Sequence, residues 1–259
     1  MLDTKSIGVD RYEIVPIGQI NTPFKQKFTV PRQPRLINLA KGVITLNKPF
    51  DDVNAVAALS SFSHVWVLFW FHLNPDNKSA SSNLYKWQPM VRPPRLGGKE
   101  KVGVFASRSP FRPNPIGMSV FELESVECIN GHVEIHVKGV DVVDGTPIID
   151  IKPYIPFSDS INEAKGAFAQ LPPISPFTVE FTPEANEQLE RLVLDAGQSL
   201  EYSLEVKSFI VEILSQDPRP AYHKQNSEQQ QYGVELLDYE IKWVLQDVLV
   251  TVTAFKLLK

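Results

Sequence analysis

The chain has 259 residues, of which 43% are hydrophobic and 22% charged, and its formal net charge is −4. That ordinary globular balance excludes disordered, collagen-like and coiled-coil chains. The longest purely apolar run, Val65 to Phe71, has seven residues, far short of the ~20 a membrane helix needs, and MLDTKSIGVD lacks the basic-then-apolar pattern of a secretory signal. A single cysteine, Cys128, precludes an internal disulfide and suits a reducing, cytoplasmic setting. In its apolar strand it reads as a buried, inert thiol. The 21 prolines, about 8% against a usual ~5%, indicate fixed loops rather than long helices.

In chain order, the spacing predicts strands at Tyr12 to Ile20, Lys41 to Leu46, His64 to Phe71, Lys101 to Ala106, Met118 to Val126 and His132 to Lys138, with a short helix at Asp51 to Leu59. HVEIHVK alternates strictly, as a strand with one buried and one wet face does. Many short strands separated by Pro, Gly and Asn suggest a β-barrel or sandwich. The character changes near residue 165. Leu171 to Thr182, with three prolines, reads as a linker. Pro183 to Gly197 reads as a helix capped by Thr182. Leu200 to Gln216 is the clearest helix, because Val206, Phe209, Ile210, Ile213 and Leu214 form one stripe. Asp217-Pro218-Arg219-Pro220 ends it, and the glutamine-rich His223 to Gln231 reads as a loop. Two alternating strands around Gln246-Asp247 close the chain as a hairpin. The expected division is a mainly β domain over 1–165 and a smaller α+β domain over 166–259.

Charge is unevenly spread. Residues 92–115 hold six cations (Arg92, Arg95, Lys99, Lys101, Arg108, Arg112) and one acid, Glu100. Residues 24–36 hold four cations and no acid. Basic loops in an acidic protein suit an anionic ligand or a polyanion; solvated barrel turns explain them equally well. There is no phosphate loop, no GxGxxG and no GxSxG. His132 and His136 have the i,i+4 spacing of helical metal ligands, but on a strand they lie roughly 13 Å apart, so no metal site is expected.

Four segments break the β pattern. VPRQPR (30–35), RPPRLGG (92–98) and ASRSPFRPNP (106–115) are proline-held loops displaying arginine, glutamine and asparagine. The fourth, DGTP (144–147) with Asp150 to Tyr154, is an Asp-Gly turn. Rigid loops lose little entropy when a ligand orders them.

IGQINTPFKQKFTVPRQP, FSHVWVLFWFH, RPPRLGG, VGVFASRSPFRPNPIGMS, VDVVDGTPIIDIKPY and QDPRPAY together resemble the tRNA N6-threonylcarbamoyladenosine methyltransferases, the TsaA-like or YaeB-like family. They cover most of residues 14–157 and 216–222. The resemblance implies a single-sheet β-barrel, S-adenosylmethionine (SAM) as cofactor, and a homodimer acting on tRNA beside the anticodon. Carried over by motif, SAM contacts fall on Arg32, Gln33 and Pro34, on His72 and Leu73, on Arg108 and Met118, and on Asp144, Gly145, Thr146 and Pro147. Asp144 suits the ribose hydroxyls. Arg95 and Arg112 are candidates for the substrate carboxylate, and Asn114, Arg219 and Tyr222 for other substrate contacts. One departure is the stretch 73–86, longer than the family pattern. The sequence names no catalytic base; His64 is a candidate that also reads as a packing residue. A non-catalytic RNA-binding module, a SAM-dependent enzyme with another substrate and a structural protein are the rival readings.

Overall fold

A computed structural model describes residues 13–74, 87–219 and 231–258. Six antiparallel strands close into a barrel: β1 (Gly18–Asn21), β2 (Lys41–Leu46), β3 (His64–Trp70), β6 (Ile116–Ile129), β7 (His132–Lys138) and β8 (Thr146–Pro153). Their order is β1-β2-β7-β6-β3-β8. Closure leaves no open edge. Alternation decides the filling. In β3, Val65, Val67 and Phe69 are buried and meet Phe121, Ile135, Ile44 and Ile148 in the lumen. On the other face the Trp66 indole donates to Asp159 (3.0 Å), the last residue of the short helix α1 (Pro156–Asp159).

The smaller domain is a four-stranded sheet, ordered β10-β11-β12-β9, backed by α2 (Pro183–Asp195) and α3 (Leu200–Ser215). Its strands are β9 (Thr178–Phe181), β10 (Gln231–Leu236), β11 (Tyr239–Gln246) and β12 (Leu249–Leu257). Thr182 caps α2 by accepting from the Ala185 N–H. The predicted stripe of α3 is buried. The two domains share one apolar core. Phe24, fully buried, lies 6.0 Å from the Phe209 ring, and burying such a ring contributes roughly 1.5–3 kcal/mol. Leu237 N–H donates to Pro23, and the Gln216 side chain donates to the Leu36 carbonyl.

Several expectations are corrected. Lys101 to Ala106 is not a full strand: β5 (Val102–Gly103) pairs briefly with β4 (Met90–Val91), and Val104–Ala106 is a 3-10 turn. Asp51 to Leu59 holds 3-10 turns rather than an α-helix. DGTP is a turn only at Asp144-Gly145, because Thr146 already begins β8. The linker conceals β9, which pairs in parallel with β12. Cys128 is exposed, because the far end of β6 runs out into solvent. Most of the glutamine-rich loop, Tyr222 and residues 75–86 lie outside the described residues.

The barrel topology positions the site. In antiparallel pairing, the ends of β1, β3 and β7 lie beside the starts of β2, β6 and β8, as Trp70↔Ile116, Lys41↔Lys138 and Ile20↔Thr146 pair. Loops 30–35 and 106–115 and the turn at Asp144-Gly145 lead into barrel strands β2, β6 and β8 at this one end, whereas 92–98 joins β4 to β5.

Candidate active site

A cavity of about 320 Å³ opens at this end, within the usual size range of small-ligand sites. Its walls are mostly apolar and aromatic, from Phe69, Trp70 and Phe71 on one side and Phe111 and Val142 on another. Phe69 and Phe71 meet edge to face, with centroids 5.3 Å apart. The polar groups are few: Lys27, His72, Asn74, Asp141 and Thr146.

Local bonds fix these pieces. His72 N–H donates to the Trp70 carbonyl and Phe71 N–H to Pro115, so the end of β3 is tied to the proline loop before β6. The Asn74 amide donates to the Pro110 carbonyl (3.2 Å). The Lys27 ammonium donates to the Leu73 carbonyl. Gly145 takes a left-handed conformation (φ +71°), which suits glycine, and its N–H donates to Ile20.

Of the predicted cofactor residues, the structure puts His72, Leu73 and Thr146 on the cavity wall. It joins Arg108 and Gln33 directly, with the guanidinium donating to the amide oxygen at 2.6 Å. Arg32 and Pro34 share that loop, which is pinned by the Arg35 N–H donating to Gly139. Asp144 also ties two loops together. Its carboxylate accepts from the Thr22 N–H and from Lys25, both at 2.8 Å, clamping the loop after β1. Gly145 and Pro147 flank Thr146 without lining the cavity. Met118 is 51% exposed and alternates away from the lumen between the buried Gly117 and Ser119, so it does not line the cavity.

The proposed substrate residues separate. Arg95 is bound to the Phe168 and Leu171 carbonyls, away from the cavity wall. Arg112 is partly buried and donates to the Ser107 carbonyl (2.9 Å), which holds its own loop together. Asn114 is exposed at the loop tip. Arg219 makes a two-pronged pair with Asp217 (2.7 and 3.2 Å) and lies over the Phe177 and Tyr232 rings, so it anchors the end of α3. His64 bonds to Ser63 (2.9 Å) and sits beside Tyr154, off the cavity wall.

The residue missed in the sequence is Asp141. It lines the cavity, and its Oδ1 is buried without a hydrogen-bond partner among the described residues. Burial pushes its carboxyl up to about 7, against the lowering effects of a Ser119 hydrogen bond and the Arg108 charge. Its sequence signal was a lone acid inside the apolar run Val140 to Val143. Asn74 Oδ1 is likewise buried without a hydrogen-bond partner among the described residues. Among the described residues, no group of three His, Cys, Asp or Glu side chains could hold a metal ion.

Comparison with known proteins decides the family. The tRNA-methyltransferase O N-terminal domain model matches residues 19–160, and the TrmO C-terminal domain model matches residues 174–257. The chain belongs to the tRNA-methyltransferase O family. It is 43% identical to the tRNA (adenine(37)-N6)-methyltransferase of Escherichia coli K12, over 91% of this chain and 94% of that one. It is 40% identical to a putative S-adenosylmethionine-dependent methyltransferase, RcsF, of Pseudomonas aeruginosa, over 90% and 92%. The crystal structure of TrmO from Pseudomonas aeruginosa superposes with a TM-score of 0.74 at 33% identity, covering 95% of this chain and 99% of that one. The family's N-terminal model spans the barrel and all of its cavity loops. Both polar and apolar parts of the cavity therefore lie in the portion that is shared.

Proposed function

We propose that this protein methylates N6 of threonylcarbamoyladenosine beside the anticodon of tRNA, with SAM as methyl donor. The observation that carries the reading is the cavity at the barrel end, formed within a chain that matches tRNA methyltransferases along nearly its whole length. The cavity fits the donor. Aromatic walls suit an adenine ring and a methyl group, and the buried Asn74 Oδ1, without a hydrogen-bond partner among the described residues, suits a donor-rich ligand. When bound, SAM supplies a methyl group on a sulfonium sulfur.

His72, Leu73 and Thr146 hold the cofactor at the wall. Arg108, oriented by Gln33, is placed to meet a carboxylate in the two-pronged way guanidinium allows. Arg32 and Pro34 shape the rim. Asp144 acts as the clamp that sets Thr146 against the cavity. Closely packed aromatic side chains exclude water, and the rigid loops fix the line between donor and acceptor nitrogen, which accounts for much of the rate in bimolecular transfers. An anticodon base is single-stranded and splays readily into a pocket. Exposed Arg92, Lys99 and Lys101, together with the stacked Trp87 and Phe105 rings, provide cations and stacking faces for the RNA strand. The reading includes a homodimer, the cytoplasm as its setting, no metal, and the domain division at residue 165.

Two binding measurements test it. Calorimetry of the full chain with SAM should give one saturable site per chain, and no heat of binding would refute the cofactor assignment. Binding of tRNA should weaken steeply with salt, because phosphate contacts release counterions; a flat response would favour a small-molecule substrate.

A further inference from the structure

The acceptor nitrogen of threonylcarbamoyladenosine is ureido-like and carries a proton, so a poor nucleophile must lose that proton as it is methylated. Among the described residues, three titratable side chains line the cavity: Lys27, His72 and Asp141. Lys27 is already committed to the Leu73 carbonyl and is a donor rather than a base. His72 belongs to the cofactor wall. Asp141 stands at the start of the turn that leads into β8, with Ser119 of β6 bonded to its carboxyl and Arg108, from the loop before β6, supplying a favourable charge. Its Oδ1 has no partner among the described residues. The Asn74 amide oxygen shares that property, but an amide accepts a hydrogen bond without taking up a proton.

We propose that Asp141 is the general base of the reaction, accepting the N6 proton as the methyl group arrives. The step balances. The N6–H bond breaks and its proton passes to Asp141; the N6–CH3 bond forms as the S–CH3 bond breaks, its electron pair staying on sulfur. The protonated carboxyl then returns its proton to solvent. A base that titrates near neutrality is both ionised often enough and basic enough to serve. Ser119 tunes it, because its hydroxyl stabilises the ionised form.

This inference rests on the proposed function, and the test separates the two. Wild-type protein, SAM and tRNA carrying threonylcarbamoyladenosine should give a kcat/KM that rises with pH through about 7 and then levels. Asp141→Asn should lower kcat by about 10²–10³-fold, abolish that rise and leave SAM affinity by calorimetry within about threefold, as expected where the lost group acts only in the transition state. Ser119→Ala should move the rise to higher pH, which a purely structural Asp141 would not produce and which also serves should Asp141→Asn fail to fold. In the protein without SAM, carboxyl NMR should show Asp141 titrating near 7 rather than near 4. Unchanged kcat in Asp141→Asn, an unmoved limb in Ser119→Ala, or a limb abolished instead by His72→Gln would overturn the role of Asp141. Absence of methyl transfer by wild-type protein would instead refute the proposed function itself.

Discussion

Gly117 lies opposite Phe69 in the β3–β6 pair, and a Cβ there would sit 2.2 Å from Phe69 Cε2 and 2.3 Å from Cζ. Ordinary contact begins near 3.4 Å, so in Gly117→Ala the ring must withdraw by about 1.2 Å. It has little room. Phe69 is only 4% exposed, and Phe71 stands edge-on against it. Overpacking of this kind costs about 1–3 kcal/mol, which at ~2–4 °C per kcal/mol for a chain of this size lowers Tm by roughly 2–12 °C. Because Phe69 also lines the cavity, its displacement should weaken SAM binding by about tenfold, equivalent to ~1.4 kcal/mol. Thermal unfolding and calorimetry measure the two effects. The double variant Gly117→Ala/Phe69→Leu removes the ring, and should be no less stable than Phe69→Leu alone. A Gly117→Ala protein with wild-type Tm and SAM affinity would refute the packing account of the cavity floor.

Three further outcomes follow from the geometry. Asp144→Ala should lower stability by about 1–3 kcal/mol, since the buried Thr22 N–H loses its acceptor; Asp144→Asn, which keeps an acceptor oxygen, should recover most of that in chemical denaturation, and equal losses would contradict the clamp. Arg219→Ala should cost about 1–3 kcal/mol in the same measurement, because its two charge-assisted hydrogen bonds to the buried Asp217 carboxylate are lost; a loss of tRNA affinity without destabilisation would restore Arg219 as a substrate contact. Asp51 accepts from the Val133 N–H and pairs with His132 and Lys48, and the Val133 bond chiefly holds its carboxyl down at about 2 against an ordinary 3.8. Its contribution to stability is therefore full above pH 4 and lost as pH falls from about 4 towards 2. Asp51→Asn should flatten the Tm profile in that window, and an unaltered profile would remove Asp51 as its source.

The local half of the site was legible in the sequence. Proline-held loops such as 30–35 and 106–115 announce themselves because proline cannot serve a central strand. The α3 stripe and the β2 and β7 limits were legible for the same reason, being set by short-range periodicity. What proximity in the chain could not reveal is who meets whom. Arg219 looked available at a helix end, yet its ring partners come from the residue before β9 (Phe177) and from β10 (Tyr232). Asp144 reads as a ribose ligand, and nothing near it in the chain announces that its carboxylate also closes a loop more than a hundred residues earlier. Strand β9 was hidden in a proline-rich stretch because its pairing with β12 is a tertiary choice. Asp141 was overlooked because a single acid among valines carries no spacing signal, and its importance arises only when the barrel closes around it.

Transfer of labelled methyl from SAM to tRNA, with and without threonylcarbamoyladenosine, tests the central claim most directly. The account predicts label in the modified tRNA alone. Equal label in the unmodified tRNA, or none in either, would contradict it.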